Sequence, residues 1–256
     1  MRRVNTDGLV DCLTNFIHPQ AVVDKDCQVG FFSVIGQGVI VGRGSCIGNN
    51  VTVYPGTVIG ENCSIGDNCV IGKHPHPAVT SRNRATQDLQ PLKMSLGCVL
   101  GSGVVLYAGT ELGMEVMVGD LASVRENCVI GYRVIIGRGA ALENDVVVGE
   151  YAKIQTGAYL TAYTVVGARA FIAPMVVTAN DNRVGRRKDG VGRLNGPCIE
   201  ENARVGAGAL LLPGVTVTRE SFVAAGSLVT RDTRPESIVM GRPARFVRPV
   251  PDAEKL

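Results

Sequence analysis

The sequence predicts an all-β chain folded as a parallel β-helix, and three observations predict it. Aliphatic residues recur at every sixth position. They run from Ile17, Val23, Val29 and Ile35 to Ile71, then from Met94 and Leu100 to Ile172 with Thr178 closing the run, and finally from Ile199 to Val229. Four residues after each anchor stands a small or β-branched residue, as at Ala21, Cys27, Ser33, Val39 and Ser45. Glycine usually follows the anchor directly. A helix repeats every 3.6 residues and an isolated strand every 2, so neither makes this pattern. A hexapeptide beat is the mark of a parallel β-helix.

Composition agrees with a narrow prism filled by aliphatic and small side chains. Of 256 residues, 45% are hydrophobic but only 5% aromatic, and there is no Trp. The length suits one repeat domain. A formal charge of +3 is too weak to imply nucleic acid. No apolar run approaches the ~18 residues of a membrane span. The first sixteen residues lack the hydrophobic region of a signal peptide. Of the eight cysteines, Cys27, Cys63, Cys69, Cys98 and Cys128 fall on the small inward slot. They read as small core residues in a reducing compartment, which leads us to expect a cytoplasmic protein without disulfides.

The C-terminal third is more specific. It reads VGAGALLLPGVTV over 205–217, VAAGSLVTRD over 223–232 and IVMGRPAR over 238–245. With the hexapeptide pattern from Ile17 to Asp232, it resembles the left-handed β-helix acyltransferases. That resemblance implies a left-handed coil of three hexads, so that residues eighteen apart stack, and about ten coils in all. It also implies acetyl-CoA or another acyl-CoA as co-substrate, a homotrimer with sites between subunits, and small-molecule substrates rather than nucleic acid or membrane. The coenzyme arm is expected against Gly206, Ala207, Gly208, Ala224, Ala225 and Gly226, with Arg231, Arg242 and Arg245 near its phosphates. Residues 177–183, VTANDNR, are similar to a stretch of the N-acetyltransferases that act on nucleotide-linked amino sugars.

With three hexads per coil, the two breaks in the beat can be placed. One spans 72–93 and the other 179–197. Fifteen faces separate Ile71 from Thr178, which is five whole coils, so both loops are expected on one edge, about 24 Å apart along the axis. The expected divisions are N-terminal coils over 17–71, central coils over 94–178, C-terminal coils over 198–232 and a tail over 233–256. Each loop is basic: Lys73, Arg82, Arg84 and Lys93 face Asp88 in the first, and Arg183, Arg186, Arg187, Lys188 and Arg193 face Asp181 and Asp189 in the second. Such charge suits a polyanionic small molecule.

The loop-bearing edge also loses its leading glycines. It reads Tyr107-Ala108-Gly109, Arg125-Glu126-Asn127, Glu143-Asn144-Asp145, Thr161-Ala162-Tyr163 and Ala179-Asn180-Asp181. We read Glu143, Asn144, Asp145 and Asp181 as the catalytic cluster, with His74 as an alternative base. Tyr107, Arg125, Glu126, Tyr163, Asn180 and Arg183 are read as acceptor-binding. A sugar amine of pKa near 8 is partly neutral at pH 7 and needs only a carboxylate to orient it. No metal is expected: carbonic anhydrases of this fold converge three histidines on zinc, and the spacing of His18, His74 and His76 does not supply them. The expected function is N-acylation of a nucleotide-linked amino sugar. O-acetylation of a sugar or antibiotic hydroxyl, and a non-enzymatic β-helix subunit, are the alternatives.

Overall fold

The computed structural model describes residues 14–79, 88–186 and 194–256. Arg82, Arg84, Arg187, Lys188, Asp189 and Arg193 lie outside the described residues. Among the described residues, thirty-one short strands follow one another from Phe16–Ile17 to Leu228–Val229, nearly all two residues long. They deal themselves in turn onto three parallel sheets of eleven, ten and twelve strands, the last of these including two strands of the C-terminal segment. We call these the first, second and third faces, starting from Phe16–Ile17, Val22–Val23 and Gln28–Val29. Three faces make a turn, so the prism has ten full coils and begins an eleventh, close to the expected number.

Each strand is short because a hexad must fit two strand residues and a corner. The second strand residue is the anchor and points inward, as at Ile35, Ile71, Leu106, Leu142 and Ile172, all buried. The first points out. The small slot at the next corner is also buried, as at Val39, Cys69, Ala122 and Val134. Hydroxyls are tolerated there because they bridge coils. Ser45 Oγ donates to Gly60 O at 2.9 Å and accepts from Cys63 N at 2.9 Å. The described cysteines are free thiols.

Stacking follows the eighteen-residue register, with Ile35 beside Val53 and Leu106 beside Val124. The loops interrupt sequence but not stacking: Ile71 pairs with Leu106 and Thr178 with Leu211. Strands Val70–Lys73 and Val177–Thr178 lie on the first face with four strands between them. Their successors, Lys93–Met94 and Cys198–Ile199, both lie on the second face. Both loops therefore leave from one edge, as the face count requires.

The C-terminal segment departs from a simple tail. Strand Ser237–Gly241 runs parallel to Phe222–Val223 on the third face, then turns back as Ala244–Pro249 in an antiparallel hairpin. Val239 and Val250 are buried, so this hairpin continues the core. Asp252–Glu254 forms a short 3₁₀ turn beyond it. No described helix is long and apolar enough to cross a membrane.

Candidate functional site

The loop-bearing edge starts at the root of the first loop. Gly72 has φ +79°, a conformation glycine adopts at little cost. The register shifts there, and Lys73 still pairs with Tyr107. This brings the Lys73 ammonium to 5.4 Å from the Tyr107 ring centroid, and Arg125 places its guanidinium carbon 5.7 Å from the same ring. The ring thus already carries two cations.

Arg125 is committed further. Its Nε and Nη2 donate to the two carboxylate oxygens of Glu126 at 3.0 and 2.8 Å. Its Nη1 donates to Glu143 Oε2 at 3.2 Å. Glu126 sits at a corner yet is only 5% exposed, which a carboxylate tolerates when both oxygens are paired. Burial works against the Arg125 charge, but Glu126 and Glu143 outweigh it and raise its pKa. Two carboxylates around one guanidinium leave the trio with a net charge of −1. Arg125 is thus held between Glu126 and Glu143 by all three of its guanidinium nitrogens.

One coil on, Asn144 is buried and its Nδ2 donates to Asp145 Oδ2 at 2.6 Å. Its backbone oxygen accepts from Tyr163 N at 3.2 Å. Asn180 Nδ2 donates to Ala162 O at 3.3 Å. Asp181 accepts from Arg183 N and Gly185 N, one on each oxygen and both at 2.9 Å. That gives Asp181 a part in shaping the start of the second loop. Arg183 and His74 are exposed. The return of the second loop is fixed by Asn195 N donating to Asn180 O at 3.0 Å.

Two features escaped sequence reading. Tyr159 points outward on the first face, one coil from Ala141. Burial and then the Glu143 charge push its phenol pKa up, so the two side chains are close neighbours. The signal in the sequence is an aromatic whose outward neighbours on the adjoining coils are Ala141 and Val177. Thr178, standing in an anchor slot, accepts Thr161 N on its hydroxyl at 2.7 Å.

The Gly/Ala positions occupy the edge between the third and first faces. Gly226 N donates to Ala207 O at 2.8 Å, which stacks the two corners. A Cβ at Gly208 or Gly226 would meet nothing within 4 Å, whereas one at Gly206 would meet Ala225 N at 2.5 Å. Gly208 and Gly226 therefore leave open surface, and Gly206 is required by stacking. Ala207 and Ala225 are exposed, and Ala224 is buried. Arg242 Nε donates to Gly226 O at 2.7 Å. Arg231, Arg234 and Arg245 line a small cavity of about 160 Å³ beside the C-terminal hairpin. The loop-bearing edge and the Gly/Ala edge are not brought together in one chain. They border the first face from opposite sides, with Tyr159, Val177 and Leu210 outward between them. Among the described residues, no three His, Cys, Asp or Glu side chains group as metal ligands.

Family comparison fits this geometry. The model described as bacterial transferase hexapeptide (six repeats) matches 47–74, and that described as hexapeptide repeat of succinyl-transferase matches 20–55, 122–162 and 198–231. Together they span about half of the chain. The chain belongs to the hexapeptide-repeat, left-handed β-helix acyltransferase family. The chain is 41% identical over 56 residues to a galactoside O-acetyltransferase of Lactococcus lactis, covering 22% of this chain and 27% of that one. It is 46% identical over 63 residues to the mitochondrial gamma carbonic anhydrase 2 of Arabidopsis thaliana, covering 24% and 23%. The chain spans about a quarter of the length of these curated relatives. A hexapeptide-repeat acetyltransferase of Vibrio cholerae, solved with acetyl coenzyme A, superposes with a TM-score of 0.43 at 23% identity over 48% of this chain and 71% of that one.

Proposed function

We propose that the chain is an acyl-CoA-dependent acyltransferase acting on the amine of a nucleotide-linked amino sugar. The observation that carries this reading is the Glu126–Arg125–Glu143 network. It is net negative, its Glu143 carboxylate is partly exposed, and it borders the face that leads to the open Gly/Ala corners. A net −1 site attracts an ammonium and can accept its proton. The basic loop roots, at Lys73 and Arg183, suit the acceptor's phosphates.

The coenzyme supplies a thioester carbonyl. Glu143 takes a proton from the amine as its nitrogen attacks the carbonyl carbon. The carbon–sulfur bond then breaks, and the thiol leaves carrying that proton. Arg125 holds the Glu143 carboxylate, and Glu126 holds Arg125. Tyr159, whose pKa burial and Glu143 raise, turns its hydroxyl proton toward the Glu143 carboxylate and helps to hold it. Because the two edges are apart in one chain, a neighbouring copy in a homotrimer would complete the site.

The test compares Glu143→Gln with His74→Ala in acetyl transfer to a panel of nucleotide-linked amino sugars. Glu143→Gln should lower kcat by roughly 10²–10⁴-fold, the usual range for a general base, and His74→Ala should leave it near wild type. The opposite pattern would make the loop histidine the base. Sedimentation showing a stable monomer at micromolar concentration would remove the intersubunit site.

A further inference from the structure

We propose that a second site, on the corner between the second and third faces, binds a nucleoside diphosphate. The corner residues Arg133, Tyr151 and Arg169 stack one coil apart and share a cleft of about 410 Å³ with Lys153, Phe171 and the C-terminal Leu256. That volume lies within the range of small-ligand pockets, roughly 300–1,000 Å³. Lys153 and Phe171 are register partners on the outer surface of the third face. The cleft thus has a cationic and aromatic column on each side.

Its charge is only partly spent. Arg133 uses Nε on Glu115 at 2.6 Å, and Arg169 uses Nη1 on Glu201 at 3.3 Å. Each guanidinium keeps further N–H groups, and Lys153 has no carboxylate partner among the described residues. Three cations stand here against Glu115, Glu201 and the terminal carboxylate of Leu256 at the rim. The cations span two coil steps, about 10 Å at the usual strand spacing. One phosphate reaches one level, whereas two linked phosphates bridge adjacent levels. The rings select the rest of the ligand. Tyr151 and Phe171 are 36% and 38% exposed. Tyr151 is already braced edge-on by Tyr132 at 5.3 Å and carries Arg169 at 5.6 Å from its centroid. A planar base covers such rings, and an inorganic anion leaves them in water. This corner is separated from the loop-bearing edge by the whole second face, so the site does not depend on the acyl-transfer reading.

Calorimetry of the full chain with ADP and with inorganic pyrophosphate tests it. ADP should bind saturably and more tightly than pyrophosphate. Lys153→Ala/Arg169→Ala should weaken ADP by at least about tenfold, since charge-assisted contacts to phosphate are lost. Phe171→Ala should reduce ADP affinity toward that of pyrophosphate and leave pyrophosphate unchanged. All these side chains are outside the core, and thermal melting checks that each variant remains folded. The proposal is overturned if wild type gives no saturable ADP binding, or if ADP binding survives Lys153→Ala/Arg169→Ala. Equal affinity for ADP and pyrophosphate, indifferent to Phe171→Ala, overturns the nucleoside assignment.

Discussion

At the scale of single residues, glycines that look alike in sequence divide by what lies behind them. Gly208 and Gly226 face open space at φ +65° and +68°, and Gly206 backs onto the next coil. A side chain at Gly208 meets only the left-handed backbone cost, about 1–2 kcal/mol. Gly208→Leu should therefore stay folded and lose coenzyme affinity in calorimetry, while Gly206→Leu should lose thermal stability outright. If Gly208→Leu binds acetyl-CoA like wild type, the coenzyme lies elsewhere. The cysteines divide in the same way. Burial pushes the Cys128 thiol up to about 12, and raises Cys69 too. Cys63, Cys69, Cys98 and Cys128 are at most 2% exposed, and Cys46 is exposed. Since the thiolate is the nucleophile and must also be reached, iodoacetamide at pH 8 should label Cys46 and spare these four, Cys63 by burial alone because hydrogen bonding with Cys98 lowers its pKa. Peptide mass spectrometry showing fast labelling of Cys128 would mean that the coils open readily. Anchors and inward slots were legible because each obeys one period. The engagement of Arg125 was legible only in part: adjacency in sequence allows its pair with Glu126, but a six-residue beat does not say that the guanidinium also reaches Glu143. Nor did it show that Asp181 would be bound to its own loop backbone.

At the scale of elements, the loops and the C-terminal hairpin show where periodicity stops informing. The loop roots were readable by counting faces, because any insertion must rejoin the next strand to keep the stack. The hairpin was not, because strands of five and six residues break the hexad. Its outer end is held by charge. Lys255 Nζ donates to Glu236 Oε2 and to Asp252 Oδ1, both at 2.7 Å. Hydrogen bonding to Lys255 and its charge lower the pKa of Glu236 and Asp252, and the same bonds raise that of Lys255. Lowered carboxylate values mean that this contribution is present above the ordinary carboxylate range, near pH 4, and is lost as pH falls through the lowered native values. The raised lysine value means that it is also present below about pH 10 and is lost as pH rises through the native value. Asp252 is exposed and Glu236 and Lys255 are half-buried at the surface, so solvent screens the pairs and the effect is local. Amide exchange over 250–256, corrected for intrinsic rates, should speed up at pH 3 relative to pH 7, and Lys255→Ala should speed it up at pH 7. Identical protection in all three conditions would mean that packing of Val250 alone holds the segment.

At the scale of the whole molecule, a stack of coils behaves as a one-dimensional array in which each turn rests only on its neighbours. The phase of the repeat, rather than the identity of any one coil, should then govern folding. Ile35 and Val53 are register partners one coil apart, well before the first loop. Excising residues 36–53 joins Ile35 to Tyr54, the residue that already follows an anchor. Every later residue keeps its face, and the loop-bearing edge loses one N-terminal corner but keeps every level from Tyr107 to Asp181. Such a variant should retain the β-sheet circular dichroism of the parent and its acetyl-transfer rate, with a urea m-value reduced by somewhat under a tenth, in proportion to the surface lost. Excising 36–51 instead removes two residues fewer and joins Ile35 to Thr52. The next anchor then arrives two residues out of phase, and corner residues fall where a strand must pair. That chain should be less stable than the larger deletion, although it has lost less of the protein. Should the out-of-phase deletion melt at or above the in-phase one, the coils would not be locked in register by their hexads, and the alignment of the two loops on one edge would need another cause.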